Sequence, residues 1–422
     1  MYYKTDLDNG LKIISHPMPN THSVALGLWL NVGGRYENKK NKGIAHFFEH
    51  LAFKGTKKYS SRQIKESIEG VGGSLNGFTS EEFTCYFVKI PSVYLKRALD
   101  ILSDMILNPC LPASEIEKER TVILEEIKMH KDMPQSYVYE LLDELLWPGH
   151  PLGLSIIGNV ESIMRLRRKD LLDFKEKYYT LPNLIIAACG QLEQKKVLDY
   201  AKEIFFAKAC KQKNIFLKVE EKQRKPQLKI LDKNTEQTHL ALGFPGLSRN
   251  HPDRYALMLL HIIMGANMSS RLFDHIRERK GLAYDIGTQV KFFHDSGAFL
   301  VHAGIDNRNV PLTIRLILKE LQKIKKEVVS ADELRRAKEF YLGQLLLALE
   351  DTLDHMLWMG EYMAAVDKVY TWQEVRKLVN RVSGSQIRDV ARNLFKQNNL
   401  CLSLIGPLKN SEKEIKRCLE IY

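Results

Sequence analysis

The chain has little of what marks a secreted, fibrous or membrane-spanning protein. Its six cysteines, Cys85, Cys110, Cys189, Cys210, Cys401 and Cys418, are scattered, and no CxxC pair occurs. That scatter points to reduced, structural thiols in a cytoplasmic protein rather than a disulfide framework. The opening MYYKTDLDNGLKIISHPMPN has no basic stretch leading into an apolar one, so no secretory signal is expected. No window approaches the roughly 18 uninterrupted apolar residues of a membrane span. With 14 prolines, 25 glycines, 44% hydrophobic and 27% charged residues, the composition is that of a globular protein, which excludes disorder and fibres. At roughly 100–200 residues per domain, 422 residues suggest two to four domains.

Charge is not balanced. Lys and Arg number 63 against 51 Asp and Glu, a formal net charge of +12. Such an excess invites a nucleic-acid or membrane-surface reading. No zinc finger, helix-turn-helix or aromatic-interleaved basic motif supports it. Basic runs such as KIKKE at 323–327 fall on amphipathic helices, where a solvated face is the ordinary meaning. The charge is thus expected to serve solubility, or to attract acidic peptides, with neither nucleic acid nor membrane as partner.

Period-2 patterns predict strands at 12–15 and 23–31, and the pattern turns helical at 42–53. Ser60 or Ser61 can cap a helix that runs to Gly70. Stretches 72–79 and 84–91 read as a strand pair, and helices are expected at 93–106, 113–131, 137–146 and 169–178 before a strand at 184–189. A Lys-rich stretch at 211–226 is the best linker. Beyond it the pattern restarts: Thr21-His22 followed by Ala25-Leu26-Gly27 resembles Thr238-His239 followed by Ala241-Leu242-Gly243. Helices at 252–264 and 270–279, strands at 283–293 and 297–303, long helices and a last strand at 400–405 complete the second half. Without strict βαβ alternation the expected fold class is α+β: two homologous domains, 1–210 and 227–422, each a mixed, mainly antiparallel sheet covered by helices.

The residues that carry chemistry begin with His46-Phe47-Phe48-Glu49-His50. His46 and His50 are one helical turn apart on one face, which suits two ligands of a tetrahedral zinc ion. Glu49 lies on the same side, within reach of a water at such a metal, in the HxxEH order of the inverzincins. The plainer reading is a polar helix face. A catalytic zinc needs a third protein ligand and an open position. The segment ERTVILEEI at 119–127 offers Glu119 and Glu126, two turns apart on one helix face, while Glu125 points elsewhere. Glu126 can ligate and Glu119 can orient a ligand or the water. Alternatively these glutamates form a solvated face with Lys118 and Lys128. His130 and His150 are possible rival ligands that nothing in their spacing recommends.

Together with GIAHFFEHLAFKGT (43–56), GGSLNGFTS (72–80), HPLG (150–153), YYTLPNLIIAACG (178–190), MSSRLF (268–273) and Arg277 seven residues before Tyr284, these motifs resemble the pitrilysin-type inverzincin peptidases, which include insulinase and the mitochondrial processing peptidases. The likeness spans nearly the whole chain and is nearest to the family's half-length bacterial branch. It implies a zinc endopeptidase acting on extended, unfolded peptides, with one Zn²⁺ per chain held by His46, His50 and Glu126. Glu49 would be the general base and Glu119 the second acidic residue near the site. Asn76, Gly77 and Phe78 would lie on the substrate-binding edge strand, and Arg277 and Tyr284 would match the family's arginine–tyrosine pair. The turn before MSSR, Gly265-Ala266-Asn267, is less glycine-rich than the family's. Half-length chains of this family pair into a chamber, which implies a homodimer whose active site is shared between subunits. A non-catalytic partner subunit of the same fold is the alternative.

Overall fold

The computed structural model describes residues 1–206, 215–220, 223–409 and 411–420. Cys210 and part of the stretch expected as a linker, 211–226, lie outside the described residues. The other five cysteines are free, and all but Cys110 are buried. The chain forms two compact units, neither of them one continuous stretch. The first takes Met1–Lys128, Leu154–Leu217 and Leu346–Thr371; the second takes Met129–Gly153, Lys218–Leu345 and Trp372–Tyr422. The two halves expected from the sequence repeat thus each yield a segment to the other.

In the first unit, β1 (Tyr3–Asp6), β2 (Lys12–Pro17), β3 (Ser23–Leu30), β4 (Ser74–Thr79), β5 (Thr84–Pro91) and β6 (Leu184–Gly190) form one sheet in the order β1-β2-β6-β3-β5-β4. Only the β2–β6 pairing is parallel. Strand β3 shows why the sheet is mixed with helices on both faces. Val24, Leu26, Leu28 and Leu30 enter one apolar cluster with the helices of the first half. Ala25 and Trp29 point the other way, into a cluster with Met356, Met359 and Met363. A strand buried on both faces reads as a near-continuous apolar run, which is what SVALGLWL is. The second face is covered by the helix Thr352–Val366, brought from the far half of the chain. Gly360 allows it to seat on Trp29, since a Cβ there would fall 2.0 Å from the indole nitrogen.

The second unit repeats the plan. Strands β7 (Gln227–Asp232), β8 (Gln237–Pro245), β9 (Ala283–Phe292), β10 (Gly297–Asp306) and β11 (Cys401–Gly406) follow the order β7-β11-β8-β10-β9, and only β7–β11 is parallel. Matching parallel pair to parallel pair equates β8 with β3 and β11 with β6, as the repeated THxxALG-like segment and the two last strands suggested. It also equates the edge strand β9 with the edge strand β4. Here the exchanged helix is Pro134–Leu146, whose Val138, Leu141 and Leu142 pack with Ala241, Leu300 and Ile405. Strand β7 was not expected from the sequence; it is a half-exposed edge strand without a clean alternation. The helix expected at 270–279 is a π-helix over Phe273–Glu278. Among the described residues, no helix is long and apolar enough to cross a membrane.

Candidate metal centre

The helix Ile44–Ala52 carries His46, Glu49 and His50. Its start is held by a buried clamp. The Glu37 carboxylate accepts the Gly43 and Ala45 amides at 3.0 and 2.8 Å, and Lys42 pairs with it at 3.2 Å while donating to the Gly34 carbonyl. Burial raises the Glu37 pKa, and Lys42 and the two amides oppose that shift. Gly43 has φ of +92°, and a Cβ there would lie 2.8 Å from the Ile157 carbonyl oxygen, so the entry to the helix needs glycine.

The carboxylates come from the helix Ala113–Asp132. Arg120 fixes its rotation. Its guanidinium donates to the Leu166 carbonyl at 2.8 Å and to that of Ile163, and lies 5.5 Å over the Phe47 ring of the histidine helix. Glu126 then faces both histidines: its Oε2 lies 3.8 Å from His46 Nε2 and 3.9 Å from His50 Nε2. Among the described residues, His46, His50 and Glu126 are the one group able to hold a metal ion, with ligand atoms within 4.8 Å of one another. These separations are too long for direct hydrogen bonds, yet they suit three donors facing one ion at about 2.0–2.2 Å.

The protonation states fit as well. Burial, with help from His50, pushes the His46 pKa down to about 3, so its imidazole is neutral and its Nε2 can offer a lone pair. Its Nδ1 is buried without a hydrogen-bond partner. His50 Nδ1 meets Glu119 Oε2 at 3.2 Å; an Nδ1 proton shared with that carboxylate leaves the lone pair of Nε2 for a metal ion. Glu119 is in turn held by Lys54 at 2.6 Å. The chain's residues therefore fit zinc: two imidazoles, one carboxylate, and a second carboxylate behind one of the histidines. The reading of these glutamates as a solvated face fails at its own lysines. Lys118 pairs with Glu115 and Lys128 with Glu125, not with Glu119 or Glu126. The rivals are elsewhere: His130 faces Glu140, and His150 Nδ1 accepts the Leu152 amide.

Glu49 is buried beside these groups, and its Oε2 accepts a hydrogen bond from the Thr79 hydroxyl at 2.8 Å. Burial raises its pKa, which suits a base that must take up and give back a proton near neutrality; the Thr79 hydroxyl opposes that rise. Thr79 ends β4, the free edge of the first sheet. On that strand Asn76 is exposed and its carboxamide oxygen accepts the Gly77 amide at 2.8 Å. A Cβ on Gly77 would sit 3.2 Å from the Phe53 ring. Phe78 turns to the other face, edge-on to Trp29 at 5.5 Å.

Arg277 and Tyr284 belong to the second unit and lie together there. The Arg277 guanidinium is 5.5 Å from the Tyr284 ring centroid and 4.5 Å from that of Phe273. In the β9–β10 ladder, Gly304 pairs with Asp285 and Ile305 with Ala283, so Tyr284 is the extra residue of a bulge. Bulges re-aim a side chain out of the ladder, and Tyr284 is 76% exposed. Lys54, Thr79 and the Glu37–Lys42 clamp were not singled out from the sequence. Thr79 could have been, since it follows Asn76-Gly77-Phe78 in the same short strand; nothing in sequence spacing ties Lys54 to Glu119.

Comparisons with known proteins agree with this geometry. Residues 12–160 match the family model described as insulinase (peptidase family M16), and residues 165–341 match the peptidase M16 inactive domain. The uncharacterized zinc protease YmxG of Bacillus subtilis is 35% identical over 402 residues, covering 95% of this chain and 97% of the relative. An uncharacterized zinc protease of Rickettsia felis is 34% identical, covering 95% and 96%. The crystal structure of a protease from Helicobacter pylori, 25% identical, has a TM-score of 0.91 over 96% of this chain and 99% of that one.

Proposed function

From the premise that this chain belongs to the insulinase family, peptidase family M16, we propose that it is a zinc-dependent endopeptidase that hydrolyses extended, unfolded peptides. The observation that carries the proposal is the convergence of His46, His50 and Glu126 beside a buried Glu49. A zinc ion held by those three residues supplies Lewis acidity, acidifying water and polarising a peptide carbonyl. Glu49 takes the proton of the attacking water and passes it to the leaving amine nitrogen. Glu119 and Lys54 keep His50 in the tautomer that leaves Nε2 free. The peptide adds as a further strand along β4, held mainly by backbone hydrogen bonds, so side chains are read weakly. The Tyr284 hydroxyl, with Arg277 against its ring, stabilises the developing oxyanion.

The chain works as a homodimer in this proposal, with Arg277 and Tyr284 of one subunit completing the site of the other. Mixing Glu49→Gln with Tyr284→Phe under subunit exchange then restores part of the activity; no recovery despite exchange would place the pair in the same subunit as its zinc ligands. The reaction itself is tested on an unstructured peptide. Cleavage that a chelator abolishes, zinc restores and Glu49→Gln lacks is expected. A zinc-loaded protein that cleaves no peptide of a diverse library would favour the non-catalytic partner subunit instead.

A further inference from the structure

We propose that Thr79 is a positioning residue for Glu49: its hydroxyl aims the carboxylate, and it ties that aim to the strand on which the peptide is laid. The inference rests on the peptidase reading above. A threonine hydroxyl has one hydrogen, and here it goes to Glu49 Oε2 at 2.8 Å. Among the described residues Glu49 has no other hydrogen-bond partner, so Oε1 remains the oxygen able to take the water's proton. A carboxylate held at one oxygen by a single donor loses its freedom to rotate, and reaction rates are steep in such orientation.

Thr79 can aim Glu49 only if its own position is fixed, and it is. It ends β4 opposite Thr84, and the hairpin beyond it is closed by the Ser80 amide donating to the Phe83 carbonyl at 2.8 Å. The segment after β3 grips that hairpin. The Gly34 amide donates to the Ser80 carbonyl at 3.0 Å and the Arg35 amide to the Glu81 carbonyl at 2.7 Å. A Cβ on Gly33 would lie 2.2 Å from the Ser80 oxygen, so glycine is what lets the two segments meet. Beneath them Arg35 and Glu82 form a buried ion pair at 2.6 Å. The alternation of the strand then turns Gly77 and Thr79 toward the histidine helix and Phe78 away from it. A peptide added to the outer edge of β4 therefore lies on the strand whose last side chain holds the base.

The test compares Thr79→Val, which keeps the branched shape and loses the donor, with Thr79→Ser, which keeps the donor. Peptide cleavage, zinc content and thermal unfolding are measured for both and for wild type. For Thr79→Val, kcat falls about 10–100-fold, the worth of one hydrogen bond to a charged group, while KM moves less than about twofold. Zinc content stays at the wild-type value, the Thr79→Val protein remains folded well above the assay temperature, and Thr79→Ser recovers most of kcat. A Thr79→Val enzyme with wild-type kcat would overturn the inference, as would a loss confined to KM or a serine variant as slow as the valine one. Those results leave the peptidase reading standing, because wild type cleaves and Glu49→Gln does not. A zinc-loaded wild type that cleaves nothing sinks both.

Discussion

The two units share a sheet order and an exchanged covering helix, yet their corresponding helices differ in what they offer. In the first unit the helix that follows the long strand β3 presents His46, Glu49 and His50. In the second, the helix Arg254–Gly265 that follows β8 buries Tyr255, Leu257, Leu260 and Met264 and keeps one histidine, His261. His261 Nδ1 meets the Thr288 hydroxyl on the edge strand β9 at 2.7 Å, much as Glu49 meets Thr79 on β4. Burial, with help from His302, drives its pKa down to about 4, so it stays neutral and structural. The same frame therefore places a polar helix side chain against an edge-strand threonine twice. Only the first copy adds the second histidine and the glutamates of Ala113–Asp132. The second copy devotes its edge strand to a bulged, exposed Tyr284 instead.

The sharpest way to break this comparison is to remove histidines from both helices. His46→Ala or His50→Ala abolishes zinc binding and cleavage, whereas His261→Ala leaves the zinc content of the purified protein unchanged; an equal loss of zinc from His261→Ala would end the comparison. Glu49→Gln separates metal from chemistry, with zinc retained and cleavage reduced by at least about 10²–10⁴-fold. Glu119→Gln, which loses a carboxylate behind a ligand, weakens zinc affinity by about 10–100-fold in a chelator competition.

A second difference lies at the starts of the two helices. The histidine helix begins on the buried Glu37–Lys42 clamp, while Asp253, at the start of its counterpart, makes no capping bond. Glu37→Ala takes the carboxylate from the buried Lys42 and from the Gly43 and Ala45 amides, and about 3–5 kcal/mol of stability is lost in denaturant unfolding. A loss under about 1 kcal/mol would show that water reaches Lys42 and that the clamp is dispensable.

Much of this was legible in the sequence, for physical reasons. The HFFEH helix, a helix cap at Ser60 or Ser61 (it is Ser60) and the β4–β5 pair follow from local spacing. So do the candidate ligand pairs, because helical repeats of four and seven residues put His46 with His50 and Glu119 with Glu126 on shared faces; their roles came from the family resemblance. The exchange of helices was not legible. The apolar stripe of Pro134–Leu146 states that one face is buried, not which sheet buries it. The same holds for Thr352–Val366, whose methionines fit a core of any shape. Thr79 and Lys54 escaped because their partners lie 30 and 65 residues away in sequence respectively, as Glu49 and Glu119 do. Only the folded sheet edge and the crossing of two helices bring them together.

The smallest effect concerns how the two exchanged helices are anchored. Pro134–Leu146 starts on a proline without a side-chain cap and is tied by Ser403 donating to the Val138 carbonyl at 2.8 Å. Thr352–Val366 starts on Asp351, whose Oδ1 accepts the Leu353 and Asp354 amides at 2.7 and 3.2 Å while Oδ2 meets Lys89 of β5 at 2.5 Å. Burial alone would raise the Asp351 pKa, but Lys89 and the two amides prevail and lower it. A carboxylate whose folded pKa is depressed contributes stability above its unfolded value, about 3.9, and loses it as pH falls through the lower folded value. Asp351→Ala should therefore cost about 1 kcal/mol at neutral pH, as the loss of a capping residue does. The gap from wild type should close below about pH 4. Asp351→Asn keeps an acceptor for the amides and gives up an exposed ion pair, so it should cost less than the alanine variant. Urea unfolding at neutral pH and at about pH 3 checks both. A gap that persists undiminished in acid would mean that Asp351 anchors the helix through its shape rather than its charge, and that the two exchanged helices are held in the same way.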